Sequence, residues 1–180
     1  LSIILTSGNK MSETVFTQNS QQQEKHDYGA DVTDCGWLEL PETKADDGLE
    51  WFCHHFNYNG KTKRNYSFYY SYDDYVSLWV AYPLNASLIG SGSRTNDWAY
   101  DPLIPYNLQI NIVDGSFFKS DGYKYDRGHQ LPSADRYSGN SNPQTFYSTN
   151  MTPQIDKFNQ NIWAGVEDKV RSWARDGKAD

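Results

Sequence analysis

The sequence lacks several features that would place it in a familiar class. No apolar run approaches the roughly 18 residues that a membrane-spanning helix needs. There is no Gly-x-x-x-x-Gly-Lys loop to cradle phosphates, no Cys/His cluster spaced for zinc and no internal repeat. His54 and His55 are adjacent on a strand-like segment, where neighbouring side chains point to opposite faces, so they are poor ligands for a shared metal. These absences argue against a membrane-spanning helix, a P-loop and a structural zinc site.

Cysteine is scarce and basic residues are outnumbered. The chain has 2 cysteines, Cys35 and Cys53; if oxidised they would close a loop that stabilises the fold by about 3 kcal/mol, and two buried thiols are the alternative. The net charge is −7, a poor overall match for a polyanionic partner. The acidity is uneven, because residues 1–118 hold 7 Lys+Arg against 15 Asp+Glu, whereas residues 119–180 hold 9 against 8.

Aromatic residues are what the chain has in quantity. They make up 16% of its 180 residues, including 14 Tyr, which favours a half-buried β-sheet in a single domain. Residues 7–34 are polar and lack periodicity, so we interpret residues 1–34 as a flexible N-terminal arm, with the domain spanning residues 35–180. The opening residues 1–5 are too short for a signal peptide and are interpreted as a leader remnant or an added sequence.

The aromatic segments predict an antiparallel meander. Strands are expected at 49–58, 65–72 and 76–82, and the first two are joined by the turn Asn59-Gly60. A further short strand is expected at 108–113 and an extended piece at 145–151. Short connections between consecutive strands are typical of an antiparallel sheet.

A helix is predicted from about Asp156 to Ala174. Ile162, Val166 and Val170 recur every four residues, so we expect this stripe to face the core. Asn159, Glu167 and Arg171 form a column beside the stripe. That column could line a site, or it could be a solvated face with an ordinary Glu–Arg pair.

The segment Tyr125–Arg136 concentrates the chemically active residue types. Asp126, Arg127, Gly128 and His129 place an acid, a guanidinium, a glycine and an imidazole in one run. An imidazole beside a guanidinium could abstract a proton next to a bound phosphate. A turn histidine in a salt-bridged loop is the alternative.

The motifs Asp-Arg-Gly-His-Gln-x-x-x-Ala at 126–134 and Asn-Met-Thr-Pro-Gln at 150–154, followed by Phe-Asn-Gln-Asn-Ile-Trp at 158–163, resemble the DNA/RNA non-specific endonucleases. The resemblance is clear from about Arg94 to the C-terminus. It implies an α+β fold in which an antiparallel sheet carries a ββα-metal motif. That family's domain continues beyond the helix, so the resemblance also implies C-terminal elements supplied by a longer chain or a second chain.

The resemblance implies a role for eight side chains and for the backbone of one glycine. His129 would be the general base, Asn159 the one direct protein ligand of a hydrated Mg²⁺ (or Mn²⁺ or Ca²⁺), and Glu167 the residue that holds the metal's water shell. The remaining expectations are that Arg127 and Arg171 clamp phosphate oxygens, Asn150 supports the site from behind, Asp126 orients the loop or pairs with a cation, and Arg94 contacts phosphate despite a longer spacing than the family's. Gly128 would let the backbone turn.

The implied function is hydrolysis of DNA and RNA phosphodiester bonds without sequence preference, leaving 5′-phosphate ends. The alternative is a truncated, inactive nucleic-acid-binding module of the same fold. A related nuclease using zinc is a further alternative, and it would need several His ligands near the site. No membrane partner is expected, the oligomeric state is open, and family and cysteines together suggest a secreted, periplasmic or cell-surface location.

Overall fold

The computed structural model describes residues 2–6, 48–114, 119–120 and 122–177. A four-stranded antiparallel sheet has the strand order β1-β4-β3-β2. Its strands are β1 (Ser2–Thr6), β2 (Leu49–Tyr58), β3 (Lys61–Ser71) and β4 (Val76–Pro83). The three strands predicted from the aromatic segments are thereby confirmed. The turn at Asn59-Gly60 has positive φ at both residues, 53° and 79°, which is the geometry that matches the twist of a two-residue hairpin.

Most of the predicted arm lies outside the described residues. Ser2–Thr6 are an exception, because they pair with β4 as the edge of the large sheet. Cys53 is buried on β2, whereas Cys35 lies outside the described residues, so the disulfide stays a prediction.

The core lies on one face of the large sheet. Alternate side chains of β3 and β4 point to this face, where Tyr66, Phe68 and Tyr82 are almost completely buried. Leu131 and Ala174, which come from the segments that carry the predicted site, pack into the same cluster. Burial of these aromatic rings therefore fixes the site-bearing segments to the sheet.

A second, smaller unit comes next in the chain. Its sheet has the order β5-β6-β7 and is followed by a helix. The elements are β5 (Lys119–Ser120), β6 (Tyr123–His129), β7 (Met151–Ile155), a π-helical segment (Phe158–Trp163) and α2 (Ala164–Arg175). A short helix α1 (Ala86–Ile89) precedes them, and 3-10 turns occupy Tyr106–Leu108, Ser133–Asp135, Pro143–Phe146 and Ser148–Asn150. Within the described residues no helix has the length and apolar character to cross a bilayer.

Two predicted extended segments were wrong. Residues 109–113 form no strand, because side chains engage the backbone there: Arg127 Nη1 donates to the Ile112 carbonyl at 3.0 Å, and Asn111 Oδ1 accepts from the Val113 N–H at 3.2 Å. Residues 145–150 form 3-10 turns, and the strand begins only at Met151. In both places hydrogen bonds to side chains or within turns replace the expected strand pairing.

The helix is confirmed, but the expected buried stripe is wrong. Ile162 is 66% exposed and Val166 46% exposed. The buried side of α2 instead carries Arg171 and Ala174, with Val170 packed beside them. A π-helical turn contains an extra residue, which rotates the later residues of the helix about its axis, and a buried carboxylate beneath the helix gives Arg171 a partner. The column containing Glu167 and Arg171 is therefore not a solvated face.

Candidate active site

A cleft of about 270 Å³ opens between the end of β6, the loop after it and the start of the helix. Five of the eight predicted residues line it: Arg94, Arg127, His129, Asn159 and Glu167. The other three, Asp126, Asn150 and Arg171, are not part of the lining. Both sequence motifs thus contribute residues to one cleft, and the other three predicted residues lie outside its lining.

The ββα arrangement brings the two motifs together. β6 and β7 pair antiparallel, with His129 opposite Met151 and Asp126 opposite Gln154. His129 ends β6, and Asn159 stands in the first helical turn after β7. Because the strands are paired and the helix comes immediately after them, residues 30 positions apart in the sequence line the same cleft.

His129 is buried, with one ring nitrogen unengaged. Its Nε2 atom has no hydrogen-bond partner among the described residues, whereas a hydrogen bond to the Arg127 backbone engages the ring and favours the protonated form. Burial first, and the charges of Arg94 and Arg127 in addition, lower the pKa of His129 to about 3. The imidazole is therefore neutral above that pH and can accept a proton at Nε2.

We expect His129 to titrate far below the ordinary histidine value. In the folded chain its ring should stay neutral from pH 8 down to pH 5, because burial and two guanidinium groups oppose the imidazolium. The unfolded chain binds this proton near pH 6.5, whereas the folded chain binds it only near pH 3. The free energy of unfolding should therefore decrease as the pH falls from 6.5 towards 3. NMR titration of the ring protons, assigned with His129→Ala, measures this. A midpoint near 6.5 would contradict the buried geometry.

The Asn159 amide is oriented by Asp126. Asn159 Nδ2 donates to Asp126 Oδ2 at 3.1 Å, and Gln160 Nε2 donates to the same oxygen at 2.7 Å. With the nitrogen engaged, Oδ1 of Asn159 remains as the acceptor or ligand atom. Asp126 therefore orients the side-chain amides of two residues at the start of the helix. The orienting role expected for Asp126 acts on these amides.

Glu167 is the acidic residue among those that line the cleft. Burial, and then the nearby charge of Asp135, raise its pKa to about 7, although Arg171 opposes the shift. A carboxyl with this pKa is close to half ionised at neutral pH. A cation entering the cleft would favour the charged form.

Two guanidinium groups reach the cleft. Arg94 Nε donates to Asn96 Oδ1 at 2.6 Å, and Arg127 Nη1 donates to the carbonyl of Ile112 at 3.0 Å. Burial lowers the pKa of both arginines, and the charge of Arg94 adds to the lowering at Arg127. Arg94, whose spacing differs from the family's pattern, is therefore brought to the cleft with the others.

Asn150 supports the segment immediately after His129. It is completely buried. Its side chain accepts from the Leu131 N–H at 2.8 Å and donates to the Leu131 carbonyl at 3.0 Å, while its backbone carbonyl accepts from Gln130 N–H at 2.9 Å. These bonds fix the chain next to the imidazole.

Arg171 has other partners than the expected ones. Its Nε donates to buried Asp135 at 2.7 Å and its Nη1 to Asp168 at 2.5 Å. The Glu167–Arg171 pair is absent from the salt bridges of the described residues, and Arg171 does not line the cleft. The expectation that Arg171 clamps a phosphate is corrected: its charge is already neutralised, and it joins α2 to the loop after His129.

We expect Arg171→Met to lower the free energy of unfolding by about 3 kcal/mol, since it leaves the Asp135 carboxyl buried without its cation. Burial raises the pKa of Asp135, and Arg171 is the strongest of the groups that oppose this shift, followed by Arg136. Without Arg171, the pKa of folded Asp135 would rise further, so the folded chain would keep a proton at pH values where the unfolded chain has released it. The loss in free energy of unfolding, relative to the starting protein, should therefore grow from pH 5 to pH 8. Denaturant unfolding at both pH values measures this, with exposed Arg175→Met as the control. Equal stability of the two variants would contradict the assignment.

Gly128 has a different role from the expected one. A Cβ atom there would lie 2.4 Å from Cδ of Gln154 and 2.5 Å from its Cγ. Gly128 lies within a regular strand, and no positive φ occurs at this position. The glycine is therefore required for the close approach of a side chain from β7, not for a turn.

Sequence reasoning missed several residues of the site. Gln160, Ser133 and Tyr137 line the cleft, and the rings of Trp98 and Phe146 contact its cationic groups. Gln160 stood beside Asn159 in the motif, which is a signal that could have found it. Nothing in the sequence pairs Trp98 with Phe146, because 48 positions separate them.

Comparison with known proteins decides the family. The family model for DNA/RNA non-specific endonucleases matches residues 50–180. The chain belongs to this family. A solved structure of an EndoG/EndoGI complex has a TM-score of 0.53 at 23% identity, covering 68% of this chain and 49% of that one. The α+β fold with its ββα-metal arrangement is thereby confirmed.

Several curated members of the family are similar over the same part of the chain. A nuclease of Nostoc sp. is 36% identical over 117 residues, which are 64% of this chain and 41% of the relative. A nuclease of Serratia marcescens is 33% identical over 94 residues, 52% of this chain and 34% of the relative. Human mitochondrial endonuclease G is 30% identical over 118 residues, 64% and 38%. The chain thus spans less than half the length of these relatives.

Proposed function

We propose that this chain hydrolyses phosphodiester bonds of DNA and RNA, with His129 as the general base and Asn159 as the protein ligand of a hydrated Mg²⁺ ion. The observation that carries the proposal is the convergence of a neutral imidazole, an amide oxygen and two guanidinium groups on one cleft. Family membership and the nuclease relatives support the reaction class.

The donor set of the cleft fits a hard, mostly hydrated cation. Within the described residues no group of three or more His, Cys, Asp or Glu is placed to hold a metal. The available donors are the Asn159 amide oxygen and the Glu167 carboxylate, both oxygen ligands of the kind that Mg²⁺ accepts while retaining water. When bound, such an ion would stabilise negative charge on the leaving oxygen. Asp126 would keep the Asn159 oxygen directed at it.

His129 would take the proton from the attacking water at Nε2. Its low pKa in the free chain is caused partly by Arg94 and Arg127. If each guanidinium binds a phosphate oxygen, those positive charges are neutralised and the phosphate itself favours an imidazolium. Substrate binding would therefore raise the basicity of His129 in the complex, where the proton is transferred.

Arg94 and Arg127 would bind the phosphate and stabilise the charge that develops in the transition state. Phosphate oxygens are common to DNA and RNA, and contacts to them carry no sequence information. Lack of sequence preference is therefore part of this proposal. The 5′-phosphate products are also part of it, on the basis of the resemblance to the family. A secreted, periplasmic or cell-surface location is also part of the proposal and rests on the family and the two cysteines together; the human relative is named as mitochondrial.

The test is a cleavage assay of this chain on supercoiled plasmid and on RNA. Both should be degraded in Mg²⁺ and remain intact when EDTA is added, and mass spectrometry of the products should find 5′-phosphates. Retention of nucleic acid without cleavage would favour the alternative, an inactive binding module. A purified, folded chain that neither binds nor cleaves would contradict both.

A further inference from the structure

Two aromatic rings form a corner beneath the cationic groups of the cleft. Trp98 and Phe146 lie with ring centroids 4.8 Å apart and planes at 90°. The Arg127 guanidinium carbon lies 3.9 Å from the Trp98 centroid, and that of Arg94 lies 4.8 Å from the Phe146 centroid. The His129 ring packs against both, at 5.7 and 5.1 Å.

This arrangement offsets the electrostatic repulsion between two arginine side chains. Arg94 and Arg127 have like charges in one cleft, and each charge opposes protonation of its neighbours. A guanidinium over the face of an indole is attracted by the ring's quadrupole, and tryptophan is the strongest aromatic partner for a cation. The flat contact at 3.9 Å also restricts the rotation of Arg127. Trp98 therefore holds in place a charge that would otherwise move away from Arg94.

Trp98 is itself fixed by backbone hydrogen bonds. Its N–H donates to the Asn96 carbonyl at 2.9 Å. The next residue, Ala99, donates to the Phe146 carbonyl at 3.4 Å and accepts from the Ser148 N–H at 3.0 Å. The loop that carries Trp98 is thus bound to the segment that carries the fully buried Phe146. Hydrogen bonds and burial within the fold therefore hold this corner in place.

We propose that Trp98 is a positioning residue of this site: its ring holds the Arg127 guanidinium in the orientation that receives a phosphate oxygen. The proposal rests on the proposed function, because it concerns how the phosphate-binding group is preorganised. Trp98 would act through Arg127, with one ring face covered by it, and not by stacking on bases.

The test compares Trp98→Leu, which removes the ring face, with Trp98→Phe, which retains one. We expect kcat/KM on plasmid DNA to fall about tenfold for Trp98→Leu and to be largely restored in Trp98→Phe. In an Arg127→Ala background, most of the effect of Trp98→Leu should disappear, because the group it positions is gone. The control is Trp173→Leu, since Trp173 is exposed and stacks with Lys169 at 5.6 Å, outside the cleft lining.

A second measurement needs no activity. ¹⁵N relaxation of the Arg127 Nε–H should report an ordered side chain in the starting protein and in Trp98→Phe, and a mobile one in Trp98→Leu. If the unaltered chain fails to cleave, the proposed function fails while this measurement still decides the positioning role. Unchanged Arg127 order in Trp98→Leu, or an equal loss of activity with and without Arg127, would overturn the proposal.

Discussion

His129→Ala is expected to lower kcat/KM for plasmid cleavage by about 10³-fold, the loss typical for removal of a general base. The imidazole is neutral at working pH, and its Nε2 atom has no hydrogen-bond partner among the described residues. Among the described residues that line the cleft, His129 is the one imidazole. Initial rates at saturating Mg²⁺, with near-UV circular dichroism to verify folding, measure the effect.

His55→Ala is the matched control for this variant. His55 lies half-buried on β2 and is not part of the cleft lining. Its removal should leave the rate within about threefold of the starting protein. A folded His129→Ala protein with more than a tenth of the original activity would show that another group accepts the proton.

Asn159→Ala is expected to lower cleavage at limiting Mg²⁺ by about 10²-fold or more, since it removes the proposed direct oxygen ligand of the metal. The Asn159 amide nitrogen donates to Asp126, so its oxygen is the atom proposed to bind the metal. The activity of the variant should respond to higher Mg²⁺ concentrations than that of the starting protein. Titration of the rate with Mg²⁺ measures the shift.

Asn161→Ala controls for changes in the helix start. Asn161 is exposed two residues further on, and its side chain bonds only locally, donating to the Lys157 carbonyl at 2.7 Å. Its rate and Mg²⁺ dependence should match those of the starting protein. An Asn159→Ala variant with unchanged Mg²⁺ dependence would mean that the metal is held elsewhere.

The parts of the fold that local sequence determines could be predicted. The β2–β3 hairpin is explained by β-forming aromatic segments around Asn59-Gly60, and both turn residues adopt the positive φ that this dipeptide favours. The pairing of His129 with Asn159 in one site was inferred from two motifs at a characteristic separation. Both inferences depend on residues close in sequence or on a recognisable pattern.

The parts that depend on tertiary partners could not be predicted. Arg171 stood in line with Glu167, but only the fold reveals that buried Asp135 lies beneath it. Trp98 and Phe146 meet because the loop after Arg94 hydrogen-bonds to the segment before Met151. The π-helical turn that changes the buried face of the helix likewise has no marker in the hydrophobic pattern.

Paramagnetic relaxation by Mn²⁺ tests most directly whether the imidazole and the amide oxygen share one metal-dependent site. With Mn²⁺ in place of Mg²⁺, we expect the His129 ring protons to broaden strongly in the starting protein and to remain sharp in Asn159→Ala. Resonances of His54, which is buried against Asp101 and is not part of the cleft lining, should broaden less than those of His129 and serve as the internal comparison. Sharp His129 signals at saturating Mn²⁺ would contradict the account, because the ion would then lie away from the proposed base.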